Sequence, residues 1–435
     1  DCGLRQGDKF SESENYEAFA YDPKTIGALL VTHAHMDHIG RVPKLVKDGF
    51  GGVIYSTRET KLLSEVMFGD ALSLLKREAS ERGIGVLYED KDVEKALSLW
   101  QEVPYRTEKN LQNGVSFYLK DAGHILGSAM VEIRYGGLPA AQGRLAQAGK
   151  KMLFTGDLGN SPAPLLEETE SPEGIDYLLM ESVYGDRNHE THEEKRNRFA
   201  RIIKETIQRG GTVVIPAFSL ERTQNILYIL NNLIEDGLVP SVPVFLDSPL
   251  ASKVTEIYRH EQKNFNEAIK KEIKDGDDIF NFPKLQFTEN RDESENIEKD
   301  KNPKIILAGS GMSAGGRVTK HEKNYLNDPK STILLVGYQS LGTLGRRLYE
   351  GNREVMIEGR KIKVRAKIES ILGFSSHKDS DHLIEFVSKC QSTVKKVFVV
   401  MGEPKAASFL TQRLRDYLGV DAIMPEKGKQ YVLEF

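Results

Sequence analysis

Only two cysteines, Cys2 and Cys390, occur in 435 residues, far apart and without a C-x-x-C neighbour, which excludes a disulfide framework and a cysteine-built zinc site. Both read as ordinary thiols. Excess positive charge is also missing: a formal net charge of −4 supplies no global field toward nucleic acid or an anionic membrane, so any such contact must come from a local patch. No run approaches roughly 18 apolar residues and no signal-peptide pattern is visible, so no membrane partner is expected and the cytoplasm is the default location. What is present is apolar material for a large core. With 39% hydrophobic residues on a chain longer than one core usually supports, two domains are expected.

Short apolar runs that end in Gly, Asp or His alternate with amphipathic segments, the pattern of an α/β protein. "IGALLVT" (26–32) ends at a histidine, while "KMLFTGDLG" (151–159) and "IDYLLMESVYG" (175–185) are strands followed directly by a carboxylate. Side chains just beyond strand ends are those a layered α/β scaffold aims at a crevice. Further on, "HEEKRNRFARIIKETIQRGG" reads as a helix closed by glycine, "TVVIPAF" as a strand and "ERTQNILYILNNLIEDG" as another helix. The charged "NRDESENIEKDKNPK" (290–304) is expected to be a solvated loop.

The stretch "VTHAHMDHIG" places His33, His35, Asp37 and His38 within six positions. Two histidines two apart in a turn after a strand can converge on one ion, while Asp37 and His38 can face a second. Later strand ends must complete both half-sites. His124 in "DAGHILGSAM" and Asp157 in "FTGDLGN" fit, with Asp157 able to bridge two ions through its two oxygens. The imidazole and carboxylate mix points to zinc, with manganese or iron the alternative at the oxygen-rich half.

H-x-H-x-D-H, followed by a separate histidine and an aspartate, resembles the metallo-β-lactamase superfamily. More narrowly, "MESVYGDRNH", "IPAFSLERTQNILYIL", "VFLDSPLA", "ILAGSGMSAGGRV", "VGYQSLGTLGRRLYEG" and "GFSSHKDSDHL" are similar to motifs of the β-CASP ribonucleases, nearer the branch of the pre-mRNA 3′-end endonuclease than ribonuclease J. The resemblance implies a four-layered αββα metallo-β-lactamase domain (1–184 and 363–435) interrupted by an inserted α/β β-CASP cap (185–362). It also implies single-stranded RNA as substrate, a homodimer as a common state, Asp157 as the bridging aspartate, Glu181 as the motif A acid and His377 as the motif B histidine. Two metals about 3.5–4 Å apart would lower the pKa of a bridging water toward roughly 7. Asp37, Glu181 and His377 are then the catalytic set, with His377 protonating the leaving 3′ oxygen and Glu181 orienting either His377 or a residue behind a metal ligand. Consecutive small residues at Ser310 and Gly311 expose backbone N–H groups, and Arg317, Arg346 and Arg347 add cations, so this tract is expected to bind phosphate. Ser219 and Arg222 either touch the RNA backbone or cap a helix. His260, His321 and His382 lack ligand-like company and are expected to be structural.

Two departures qualify the resemblance. Relatives carry V-H-G-E where this chain has "VFVVMGEPKAA", so Met401 stands in place of a histidine that would complete the second metal site. A thioether is a poor zinc ligand beside oxygen donors, which leaves Asp37, His38, Asp157 and water. Relatives also have a strand pair before the "DCGLRQG" element, here at position 1; the expectation is that the numbering simply starts after it, and only its true absence would leave a sheet edge unpaired, with pairing to another chain or poor stability to follow. Beside an active ribonuclease, the alternatives are a weakened RNA-binding scaffold, which Met401 favours, a DNA nuclease, and a hydrolase of small thioesters, which the long insert disfavours.

Overall fold

A computed structural model describes residues 1–5, 13–136 and 149–433. The described chain forms two compact units, one built mainly from residues 15–188 and 376–435, the other from His189–Ser375.

In the first unit, three parallel strands, Ala28–Leu30, Val53–Ser56 and Trp100–Glu102, form one sheet. A second, seven-stranded sheet runs in spatial order from Ala422–Ile423 through Lys396–Val399, Tyr177–Met180, Lys150–Phe154, Ala129–Tyr135 and Val115–Asp121 to Lys109–Asn110. Tyr55, Val103, Phe117, Leu119, Ala129 and Val131 form one apolar cluster with Leu30 and Val53, which is the core between the two sheets. Helices Ser380–Ser388 and Pro404–Leu418 cover the outer face of the large sheet through Leu383, Phe386, Leu410 and Leu414. On the other side lie Val42–Lys47, Arg58–Arg82 and Asp90–Ser98. These four layers are the αββα fold. The 25-residue helix Arg58–Arg82 shows how locally its limits are set: the Thr57 hydroxyl caps its first turn through the Thr60 N–H, and Gly83 at φ +66° ends it in the left-handed region.

The second unit carries a six-stranded, all-parallel sheet in the order Leu285–Phe287, Val244–Asp247, Lys304–Ala308, Thr212–Pro216, Thr332–Leu335, Lys367–Ser370. Its central strands are buried at every position, as a sheet covered on both faces requires. The tract expected to be a loop at 290–304 instead contains the helix Arg291–Lys299. Asn290 and Glu293 form a reciprocal capping box, and Ser294 and Ile297 bury one face, so a short one-sided amphipathic helix forms despite the charge. Both cysteines are buried and unpaired, and no helix among the described residues is long and apolar enough to cross a membrane.

Candidate metal centre

The strand Ala28–Leu30 delivers His33 three residues past its end, and the one-turn helix Met36–Ile39 carries Asp37 and His38. His124 follows the strand Val115–Asp121, and Asp157 follows Lys150–Phe154. Four of these side chains converge. His33 Nε2 and His35 Nδ1 lie 3.0 Å apart, and His35 Nδ1 is 3.3 Å from His124 Nε2. Asp157 Oδ2 is 3.4 Å from His33 Nε2 and 3.6 Å from His124 Nε2. Ligands about 2.0–2.1 Å from a tetrahedral zinc stand about 3.3 Å from one another, so these separations match the edges of such a shell.

A second grouping uses the other oxygen of Asp157. His38 Nε2 is 3.4 Å from Asp157 Oδ1 and 4.0 Å from Asp37 Oδ2. Both His38 Nε2 and Asp157 Oδ1 are buried without a hydrogen-bond partner. Two orphaned, convergent ligand atoms in a dry site are costly unless a cation joins them. Asp37 is half exposed, at 51% for its side chain, and leaves that side open.

The outer nitrogens of the histidines are engaged, which aims the inner ones. His33 Nδ1 lies 3.0 Å from the Thr32 hydroxyl, His124 Nδ1 lies 3.2 Å from the Ser376 carbonyl, and His38 Nδ1 lies 2.8 Å from the Asp1 carboxylate. Asp1 also accepts from the Thr32 N–H and hydroxyl. Its role was missed from sequence. Gly156, at φ +53°, permits the close packing here, since a Cβ would sit 2.7 Å from Thr32 Cβ.

Burial, with a neighbouring imidazole adding to it, lowers the pKa values of His33, His35 and His124, which keeps them neutral and ready to ligate. For Asp157, burial would raise the pKa, but His38 and His377 reverse this and hold the carboxylate ionised. Glu181, fully buried after the strand Tyr177–Met180, accepts from the Leu158 N–H at 2.6 Å and the Val183 N–H at 3.2 Å. The same Glu181 carboxylate lies 3.2 Å from His377 Nδ1, and Asp157 Oδ2 lies 4.0 Å from that nitrogen. Burial opposes charge on His377, yet Glu181 and Asp157 outweigh it and lift its pKa to about 9.

Met401 follows the strand Lys396–Val399 with φ +58° and a 44% exposed residue surface. The Val400 N–H donates to the Met180 carbonyl, and a Cβ on Gly402 would meet Ser182 Oγ at 2.3 Å, so this turn is fitted against the residues flanking Glu181.

The residues expected to contact phosphate all lie in the second unit. Ser219 Oγ is 3.2 Å from Ser248 Oγ, and a Cβ on Gly309 would lie 3.6 Å from both hydroxyls, so "FSLER" and "GSGMSAGG" are neighbours. The Gly311 carbonyl accepts from Gln339, and the Gly345 N–H donates to the Met312 carbonyl, which brings the "GTLGRR" tract to the same loop. Ser310 Oγ accepts from the Ala314 N–H. These loops follow the ends of the parallel strands Thr212–Pro216, Lys304–Ala308 and Thr332–Leu335. Two arginines are engaged internally: Arg222 is buried and donates to the Val336 carbonyl, and Arg317 donates to Asp247 at 2.6 Å and to the Thr288 and Glu289 carbonyls. Arg346 pairs along its helix with Glu350 at 2.7 Å, and Arg347 Nε is buried without a partner. His321, buried, places Nε2 2.7 Å from Asp247 Oδ2, and His382 bonds Asp379 at the start of its own helix.

Residues 1–190 match the metallo-beta-lactamase superfamily, 223–348 the Beta-Casp domain, and 361–425 the Zn-dependent metallo-hydrolase RNA specificity domain. Ribonuclease TTHA0252 of Thermus thermophilus is 35% identical over 387 residues, covering 89% of this chain and 84% of that protein. The RNase J-like protein of Methanocaldococcus jannaschii is 32% identical over 434 residues, covering 98% and 92%. Transcription termination factor FttA of Methanosarcina mazei is 30% identical over 436 residues, but this chain spans only 65% of its length. A crystal structure of a protein of unknown function from Enterococcus faecalis V583 shares the fold, with a TM-score of 0.51 at 14% identity, covering 96% of this chain and 83% of that one.

Proposed function

Because this chain belongs to the β-CASP ribonuclease family of the metallo-β-lactamase superfamily, we propose that it is a metal-dependent ribonuclease working at His33, His35, Asp37, His38, His124 and Asp157. The observation that carries the reading is the tetrahedral spacing of four neutral or anionic ligand atoms beside a histidine held protonated by two carboxylates. His33, His35, His124 and Asp157 would hold one zinc ion; Asp37, His38 and the second oxygen of Asp157 would hold another, with manganese the alternative there. Bound metal supplies Lewis acidity, charge neutralisation and a water whose pKa falls toward roughly 7.

The chain's own residues do the rest. Glu181 fixes His377 through Nδ1, so Nε2 is the nitrogen that hands a proton to the departing 3′ oxygen, leaving a 5′-phosphate and a 3′-hydroxyl. In the second unit, Ser219, Ser310, Gly311, Arg346 and Arg347 supply donors to the phosphates of single-stranded RNA, while Arg222 and Arg317 brace the loops that present them. The cytoplasm as its location and a homodimer as one of its states belong to the same proposal. The test is cleavage of single-stranded RNA and DNA of equal sequence with zinc or manganese present. RNA cleavage abolished by a chelator supports the reading; a preference for DNA overturns the substrate assignment.

A further inference from the structure

A cavity of about 440 Å³ opens beside the metal-binding turn, lined by Tyr16, Phe19, Tyr21, Pro23, Lys44 and Asp48. Its rings are not core residues: Tyr16 is 37% and Tyr21 48% exposed, in a chain only 8% aromatic. Phe19 and Tyr21 are held in place. Phe19 carries the Lys44 ammonium 4.5 Å and the Arg41 guanidinium 5.2 Å from its ring centroid, and Tyr21 tilts against it at 5.5 Å and 34°. Arg41 is also tied to the centre's own backbone. It stands three residues past His38, its N–H donates to the Cys2 carbonyl, the Cys2 N–H donates to the His38 carbonyl, and its Nε donates to the Gly3 carbonyl.

We propose that this cavity is a base-stacking subsite, in which one nucleobase of the single-stranded RNA lies on the Tyr16 and Tyr21 rings. Lys44, largely buried, is paired with Asp48 at 2.5 Å, so the lining is electrically balanced and its draw is the ring faces rather than charge. The volume suits one nucleotide, and exposed aromatic rings are the platforms on which single strands stack without sequence preference. An aliphatic or acidic ligand would leave those ring faces unused.

This proposal rests on the ribonuclease reading, and the experiment separates the two. Tyr16→Leu/Tyr21→Leu and Tyr16→Phe/Tyr21→Phe are compared with the unaltered chain by steady-state RNA cleavage, and by anisotropy of a labelled single-stranded RNA under chelation. Loss of one stacked base corresponds to about a tenfold rise in KM and Kd, with kcat unchanged and the Phe pair matching the unaltered chain. A Leu pair that binds RNA as the unaltered chain does overturns the subsite and hands the rings to a protein contact. An unaltered chain that neither binds nor cuts RNA overturns the ribonuclease reading and the subsite with it. A measurement free of substitutions stands beside these: RNA carrying 2-aminopurine is quenched on binding if its base stacks, and unchanged fluorescence at every position contradicts the proposal.

Discussion

Asp1 and His38, 37 positions apart, meet at 2.8 Å, carboxylate to Nδ1, and this contact turns the His38 Nε2 toward the orphaned Oδ1 of Asp157. A carboxylate behind a ligand histidine fixes its tautomer and ring orientation and makes it a better donor. Under the proposed two-ion reading, Asp1→Asn is therefore expected to weaken metal binding at His38 by about 10- to 100-fold while leaving binding at His33, His35 and His124 in place. Competitive titration with a chromogenic zinc chelator reads the two ions separately; equal weakening of both contradicts this assignment.

Asp157 serves both groupings, one oxygen to each. Asp157→Ala should remove metal and RNA cleavage together, since both shells lose an anionic ligand. Metal content by mass spectrometry under native conditions checks it, and retention of two ions per chain contradicts the bridging role.

The backbone at Met401 has φ +58°, a region that histidine enters more readily than most residues. Met401→His is expected to fit without strain and to raise metal content toward two ions per chain. Unchanged occupancy at saturating zinc counts against the account of that position.

His377 has a pKa of about 9 because Glu181 and Asp157 outweigh its burial. A proton donor is competent only while protonated, so kcat should fall as pH rises through that value. Glu181→Gln removes the larger of the two favourable charges, destabilises the imidazolium and should move this alkaline limb to lower pH. A pH profile of kcat checks the shift, and a limb that stays put removes Glu181 from its positioning role.

The legible part of this protein was local. Three histidines and an aspartate at a strand end pointed to a metal site, and the structure brings His33, His35, His124 and Asp157 together. Asp1 was invisible because a lone acid says nothing of a partner 37 residues away. For the same reason Arg317 looked available for phosphate and Arg222 stayed open between the RNA backbone and a helix cap: a sequence displays the cation but not the Val336 carbonyl or the Asp247 carboxylate that folding brings to it. At 290–304 the charged composition masked a capping box that was there to read.

Away from the metal centre, Glu322 is fully buried, its carboxyl bonded to the Ser313 hydroxyl and one oxygen left without a partner. Burial raises its pKa to about 8, against about 4.3 for an unfolded chain. Between those values the unfolded state sheds a proton that the folded state keeps, so stability falls as pH rises from about 4 to 8. Glu322→Gln, neutral at every pH, should flatten that slope and stabilise the protein by about 1–3 kcal/mol at pH 7. Thermal melts between pH 5 and 9 test it; parallel curves for the two proteins contradict a buried, protonated Glu322.

The most direct test of the central claim is cleavage of a 5′-labelled single-stranded RNA by the full chain with added zinc or manganese, beside His35→Ala. Fragments that form with the unaltered chain and vanish with the variant are the expected result. RNA that is bound but never cut, with metal present at the centre, would contradict it.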